Sequence, residues 1–275
     1  MAQPLGAAKS DALLVRILSA AVLAPLAVAA AWLGGAFLAV LTILGAAIMG
    51  WEWGRLTHGG HFGASGALIA VTEVTGAGVA AFGWPAIALG VIIAGALARL
   101  AWPPAEGDAN LWAGIGTFWV GAACVAVLWL AADPVAGRAT VLWLFAVVWA
   151  TDSAAYLVGG WVQGPRLAPR WSPKKTWSGA LGGIAAAALV GAMTANILGF
   201  SMLSPVFWLS MGLSIAVQVG DLAESAAKRR FGVKDTSGLI PGHGGLLDRL
   251  DGMLAALVAA GILTLARGAS PVMWS

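Results

Sequence analysis

Long apolar runs separated by short polar breaks dominate this chain. A membrane-spanning helix needs about 20 mostly apolar residues. Nine runs approach that length: Ile17–Leu33, Ala36–Gly50, Ala64–Phe82, Pro85–Leu100, Leu111–Leu130, Val141–Val158, Leu181–Phe200, Met202–Val219 and Met253–Ala266. Backbone polar groups find no water in hydrocarbon, so these runs predict helices. The third is the weakest, because it holds Glu73 among several Gly and Thr; the last is short, and its helix is expected to begin near Leu246. Gly and Ala fill many runs, as in ALGGIAAAALVGA from Ala180 to Ala192, which predicts close helix packing. The expected fold is an all-α, polytopic integral membrane protein of about nine helices. Residues 1–140 hold about five of them. Residues 141–275 hold the rest, with two polar segments at 159–180 and 221–252, and the two parts form one unit.

Composition supports this reading. Of 275 residues, 60% are hydrophobic and 10% charged, against about 25% charged in a soluble domain. Fifteen Trp stand against one Tyr. Many Trp close apolar runs (Trp32, Trp51, Trp84, Trp102, Trp112, Trp161), where the headgroup layer suits an amphipathic ring. The single Cys124 excludes an intrachain disulfide. The pI near 9.4 is better explained by basic loops than by nucleic acid, since no soluble domain or stacking platform accompanies the charge.

The basic residues also orient the chain. With nine spans, Lys9, Arg16, Arg55, Arg99, Arg166, Arg170, Lys174, Lys175, Lys228, Arg229, Arg230, Lys234 and Arg249 fall on one side, 13 in all, and Arg138 and Arg267 on the other. The positive-inside rule makes the first side cytoplasmic, together with the N-terminus. Lys9 and Arg16 before an apolar run resemble a signal peptide, but the run is long for a signal core, and an uncleaved helix is expected.

Candidate chemistry concentrates in the two polar segments. Ten of the 27 charged residues lie between Asp221 and Asp251. Continued as a helix, the stretch after Val219 puts Asp221, Ser225 and Lys228 on one face. GLIPGHGG, Gly238–Gly245, predicts a tight turn able to aim backbone N–H groups at an anion, with His243 beside it. Asp248 and Asp251 share a helix face, with Arg249 directed elsewhere. Such carboxylates suit Mg²⁺, a hard ion that retains waters and substrate phosphates. A salt-bridged helix start would account for the same two residues. In the other segment, Arg166, Arg170, Lys174 and Lys175 are cations stiffened by Pro165, Pro169 and Pro173, and Ser172, Thr176 and Ser178 add hydroxyls. Asp152 is expected one to two turns from the cytoplasmic end of its span. A carboxylate there costs about 2.5–3.5 kcal/mol unless it faces a cavity or partner. The mixture of cations, Asp and Gly suits a polyphosphate with its metal.

These residues resemble the phosphatidate cytidylyltransferase (CDP-diacylglycerol synthase) family. The family signature is matched in register by Ser225, Lys228, Arg229, Lys234, Asp235, Ser237, Ile240, Pro241, His243, Gly244, Gly245, Asp248, Arg249 and Asp251. An upstream block is matched by Asp152, Ala155, Tyr156, Gly159 and Ser172-Pro173-Lys174-Lys175-Thr176. The resemblance covers about 152–252 and is compositional before that. Ala227 departs from a larger apolar residue, Ser178 stands where many members carry Glu, and a basic residue after Gly159 is missing. The resemblance implies nucleotidyl transfer from CTP to phosphatidic acid, with Mg²⁺ on Asp221 and Asp248 and room for a second divalent ion or a monovalent cation. It gives Lys174, Lys175, Lys228, Arg229 and His243 phosphate contacts, makes Arg249 and Asp251 part of the catalytic group, and puts Ser172, Thr176, Ser225, Lys234, Asp235, Gly244 and Gly245 near substrate. A homodimer among membrane lipids, in a bacterial inner membrane, is also implied. The alternatives are another lipid phosphotransferase (a polyprenol kinase or CDP-alcohol phosphatidyltransferase) and a lipid transporter using Asp152 and Glu73.

Overall fold

The computed structural model describes residues 5–103, 107–200 and 203–273. Nine α-helices follow in order among these residues: α1 (Leu5–Leu33), α2 (Gly35–Thr57), α3 (Ala64–Ala81), α4 (Pro85–Leu100), α5 (Ala109–Ala131), α6 (Gly137–Val162), α7 (Trp177–Ile197), α8 (Leu203–Arg230) and α9 (Leu247–Arg267). Seven are long and apolar enough to cross a membrane: α2, α3 and α5–α9. The chain is thus a polytopic all-α membrane protein. An antiparallel hairpin, β1 (Arg166–Ala168) and β2 (Ser172–Thr176), joins α6 to α7, with Arg166 paired to Thr176 and Ala168 to Ser172.

Helix α5 is the axis of the N-terminal half, touching α2, α3, α4, α6 and α9. Its small residues permit this. Gly121 faces Ile92, Gly114 faces Leu100, and Gly116 lies flat against the Trp53 indole. Trp53 is buried and donates Nε1–H to the Trp112 carbonyl at 3.0 Å. Lipid chains are as apolar as Leu, so this close approach takes the place of a hydrophobic driving force between helices. Gly116→Val should therefore cost about 1–3 kcal/mol by overpacking. A thermal unfolding series in detergent, compared with the lipid-facing control Gly78→Val, checks this; no atom comes within 4 Å of a Cβ at Gly78.

Helices α6 and α7 form the closest pair of the C-terminal half. Side chains at Gly179, Gly182 or Gly183 would strike the Ala155 carbonyl, Val158 or the Thr151 carbonyl. Gly159 faces Thr176 and Gly179 in the same seam. The glycines of this seam serve packing rather than helix ending, so α6 runs on to Val162. Asp152 then lies ten residues before the helix end, about 15 Å by helical rise, or nearly three turns, and not one to two. Helix α2 likewise continues past Gly50 to Thr57, which carries Glu52 into the protein interior.

Candidate active site

Where the C-termini of α6 and α8 meet the N-termini of α7 and α9, a cavity of about 780 Å³ opens. Four carboxylates from three helices line it: Asp152 on α6, Asp221 on α8, and Asp248 and Asp251 on α9. Five cations line it too: Arg166 and Lys174 and Lys175 from the hairpin, Lys228 from α8 and Arg249 from α9. Arg249 joins the two Asp residues in lining the cavity, contrary to the expectation that it turns away: its side chain is long and exposed, so a backbone position off the shared Asp face does not keep it from the cavity. Tyr156, Thr176, Gln163 and Gln218 complete the polar wall.

The hairpin places its lysines through a small network. Thr176 caps α7 by accepting from the Gly179 N–H at 3.1 Å, and the Trp177 N–H donates to the Pro165 carbonyl at 3.1 Å. Ser178 donates to the Gln163 carbonyl. Gln163, in turn, is held in the left-handed region at φ 58°, so the chain reverses sharply between α6 and β1. Lys175 reaches across to an ion pair with Asp221, and both side chains stay partly open to solvent, at 28% and 29%.

A second, drier cluster lies behind. Lys228 Nζ is 2.5 Å from Glu224 Oε2 and 2.6 Å from Asp248 Oδ1, and the three side chains are 12%, 0% and 2% exposed. Asp248 is held from the other side as well. Its Oδ2 accepts from the Thr236 N–H (2.8 Å), the Thr236 hydroxyl (2.9 Å) and the Gly245 N–H (2.8 Å). Asp221 Oδ1 accepts weakly from Ser225 Oγ at 3.5 Å.

The glycine loop departs from expectation. Most of its N–H groups are already engaged rather than free to face an anion. Ile240 and Gly244 exchange backbone bonds of 2.8 and 3.1 Å, and the His243 N–H donates to the Ile240 carbonyl at 2.9 Å. The Gly245 N–H is engaged by Asp248, and the Leu246 and Leu247 N–H groups donate to Glu52 at 2.9 and 2.8 Å. Short polar side chains are better placed than a mobile ligand to satisfy buried N–H groups, so the turn organises the protein before it can organise a substrate. Gly244 has φ +87°, and a Cβ there would strike the Asp248 carboxylate, which explains the glycine without a substrate contact.

Of the expected site residues, Asp152, Lys174, Lys175, Thr176, Asp221, Lys228, Asp248, Arg249 and Asp251 meet at the cavity. Ser172, Ser225, Arg229, Lys234, Asp235, His243, Gly244 and Gly245 lie outside its lining. Arg229 spans the gap between two loops, donating to the carbonyls of Trp171 (3.4 Å) and Val233 (3.3 Å). Lys234 and Asp235 are exposed. Glu73 lies apart, buried where α3 passes Gly50 of α2. Five residues at or behind the site were missed in the sequence: Gln163 and Gln218 in the cavity lining, and Glu52, Glu224 and Thr236 behind it. Only Glu224 carried a local signal, its i,i+4 spacing from Lys228.

The N-terminal half is tied to this region by Arg230, which grips both oxygens of Asp108 at 2.5 and 3.1 Å. The guanidinium holds the Asp108 carboxyl below the ordinary carboxylate range.

Among the described residues no three His, Cys, Asp or Glu side chains are grouped so that they could hold a metal ion by themselves. What the cavity offers is a sparser donor set. Hard oxygen donors on separate helices face one cavity, and Asp221 and Asp248 each already carry a cationic partner there. One or two carboxylates completed by waters and phosphates is the usual arrangement for Mg²⁺.

Comparison with known proteins bears on the same region. The sequence profile of the "Cytidylyltransferase family" matches residues 14–266. A phosphatidate cytidylyltransferase of Brucella suis biovar 1 is 39% identical over 253 residues, covering 88% of this chain and 89% of the relative. One from Haemophilus influenzae is 43% identical over 139 residues, covering 46% of this chain and 45% of the relative. One from Staphylococcus aureus is 40% identical over 127 residues, covering 45% and 48%.

Proposed function

The chain belongs to the cytidylyltransferase family, and on that premise we propose that it is a phosphatidate cytidylyltransferase. It would join CTP to phosphatidic acid, giving CDP-diacylglycerol and pyrophosphate. The observation that carries this reading is the cavity at one end of the bundle, where four carboxylates and five cations from α6, the hairpin, α8 and α9 converge. The same end holds the basic loops that the positive-inside rule assigns to the cytoplasm, so CTP would arrive from water and the lipid headgroup from the inner leaflet of the inner membrane.

In the reaction, a phosphate oxygen of phosphatidic acid attacks the α-phosphorus of CTP. The bond from that phosphorus to the β-phosphate bridging oxygen breaks, and its electron pair leaves with pyrophosphate. The lipid phosphate is already anionic near neutral pH, so no strong base is needed. The obstacle is repulsion between two anions, and the protein's work is positioning and charge stabilisation. Lys174 and Lys175 on the hairpin and Arg249 on α9 are the cations we assign to the triphosphate. Lys228, held between Glu224 and Asp248, fixes a positive charge at the cavity's inner wall. Asp221 and Asp248 are the carboxylates we assign to Mg²⁺, with Asp152 and Asp251 beside them. Bound there, the ion would neutralise charge on the triphosphate. Gln218, whose amide nitrogen donates to the Ala180 carbonyl at 3.3 Å, keeps its oxygen for a polar group of the substrate.

Purified protein with α-labelled CTP, phosphatidic acid and Mg²⁺ tests the assignment. Label should enter the lipid phase only when all three are present, and chelation should stop it reversibly. Lipid labelling without phosphatidic acid, or turnover of CDP-diacylglycerol plus an alcohol without CTP, would overturn it.

A further inference from the structure

We propose that Glu52, on α2 in the opposite half of the molecule, is a positioning residue that sets the start of α9 and through it the place of Asp248. The inference rests on Asp248 being part of the reacting site.

Glu52 is fully buried and saturated with donors. Its Oε1 accepts from the Ser237 hydroxyl at 2.6 Å and from the Leu246 N–H at 2.9 Å, and its Oε2 accepts from the Leu247 N–H at 2.8 Å. The first N–H groups of a helix have no acceptor within it. Most helices supply one from a Ser, Thr, Asp or Asn at the preceding position. Here that position is Leu246, preceded by Gly244 and Gly245, so the local sequence offers no side-chain acceptor. The acceptor comes instead from a carboxylate 195 residues away, with a negative charge where the helix dipole favours one.

The same short segment is held from its other side by Asp248, through Thr236 and the Gly245 N–H. Gly245 is caught between the two grips: a Cβ there would collide with both the Thr236 hydroxyl and Glu52 Oε1. Asp248 therefore cannot keep its bonds unless the loop lies where Glu52 puts it. Helices α2 and α9 otherwise touch over only a short stretch, which leaves this carboxylate as the main link between them. Glu52 is not among the cavity-lining residues, so it acts through Asp248 and touches no substrate.

Glu52→Gln tests this, because the shape is kept while one acceptor oxygen becomes an amide that confronts an N–H. Three readouts are taken on the full-length protein in detergent micelles. The expected kcat loss is about 10–100-fold, the range for disturbing the support of a metal-site ligand, with KM for CTP within about threefold. Hydrogen exchange should speed up at the amides of 245–248, while those of α5 and α7 stay protected. Glu52→Asp, which keeps the charge, should recover part of kcat. Ser237→Ala removes one donor from a half-buried hydroxyl and should lower kcat in the same direction, which keeps the test open if Glu52→Gln does not accumulate folded. Unchanged kcat and exchange in these variants would overturn the proposal. So would an activity loss matched by uniform loss of protection. Asp248→Asn is run alongside: if it alone retains activity, the site reading has failed; if it is inactive while Glu52→Gln is normal, only the positioning role has failed.

Discussion

Asp248→Asn should lose CTP-dependent CDP-diacylglycerol formation by on the order of 10²–10³-fold or more, the range seen when one preorganised electrostatic group is removed, and the protein should still fold. The reason lies in the two sides of this carboxylate. Oδ2 accepts three bonds from Thr236 and Gly245, and an Asn carbonyl can keep accepting them. Oδ1 carries the 2.6 Å contact to Lys228, and there the amide would present hydrogens to an ammonium. The substitution thus spares the loop and strikes the charge that faces the cavity. Asp221→Asn is a companion, because Asp221 is 29% exposed and its folding cost is smaller. Size-exclusion elution and tryptophan fluorescence report folding, and label transfer reports activity. A folded Asp248→Asn protein with full activity would remove this residue from the mechanism.

Lys228→Met should produce the largest loss of stability. Glu224 is fully buried, and Oε1 has no hydrogen-bond partner among the described residues, while Oε2 depends on Lys228. Breaking a buried ion pair by removing one partner costs about 3–5 kcal/mol, because an uncompensated charge remains. Asp248 is better protected, since its N–H and hydroxyl donors remain. Glu224 is therefore the group left stranded, and Glu224→Gln combined with Lys228→Met should return most of the thermal stability. Activity should not return, because the cation at the inner wall is still missing. Stability of the single variant equal to wild type, or activity restored in the double, would contradict this division of roles.

Much of the architecture was legible from local pattern alone. The apolar runs marked the helices, and glycine-rich ALGGIAAAALVGA marked the seam on which α6 and α7 pack. The shared helix face of Asp248 and Asp251 followed from helical periodicity, and the run of α8 past Asp221 to Arg230 meets the condition under which Asp221, Ser225 and Lys228 share a face. What stayed hidden has a common physical origin. Glu52 stands in WEWGRL at the end of an apolar run, where a lone acid reads as a boundary residue; its partners lie 185 to 195 residues away, beyond any periodicity. The depth of Asp152 was misjudged because the apolar run closes at Val158, whereas α6 continues through Gly159, which packs against α7, to Val162. The glycine loop suggested an anion cradle because composition tells which N–H groups can turn inward but not which acceptor reaches them first.

Helix α8 has one further consequence. It is an unbroken rod of 28 residues, about 42 Å long by helical rise against about 30 Å of hydrocarbon. A single stiff element therefore passes from the oily interior into water, bearing Asp221 partway up and the basic residues Lys228 to Arg230 at its tip. Heights along such a rod are fixed, so a fat-soluble reactant and a water-soluble one can each be met at its own level. Neither has to change phase for the bond between them to form.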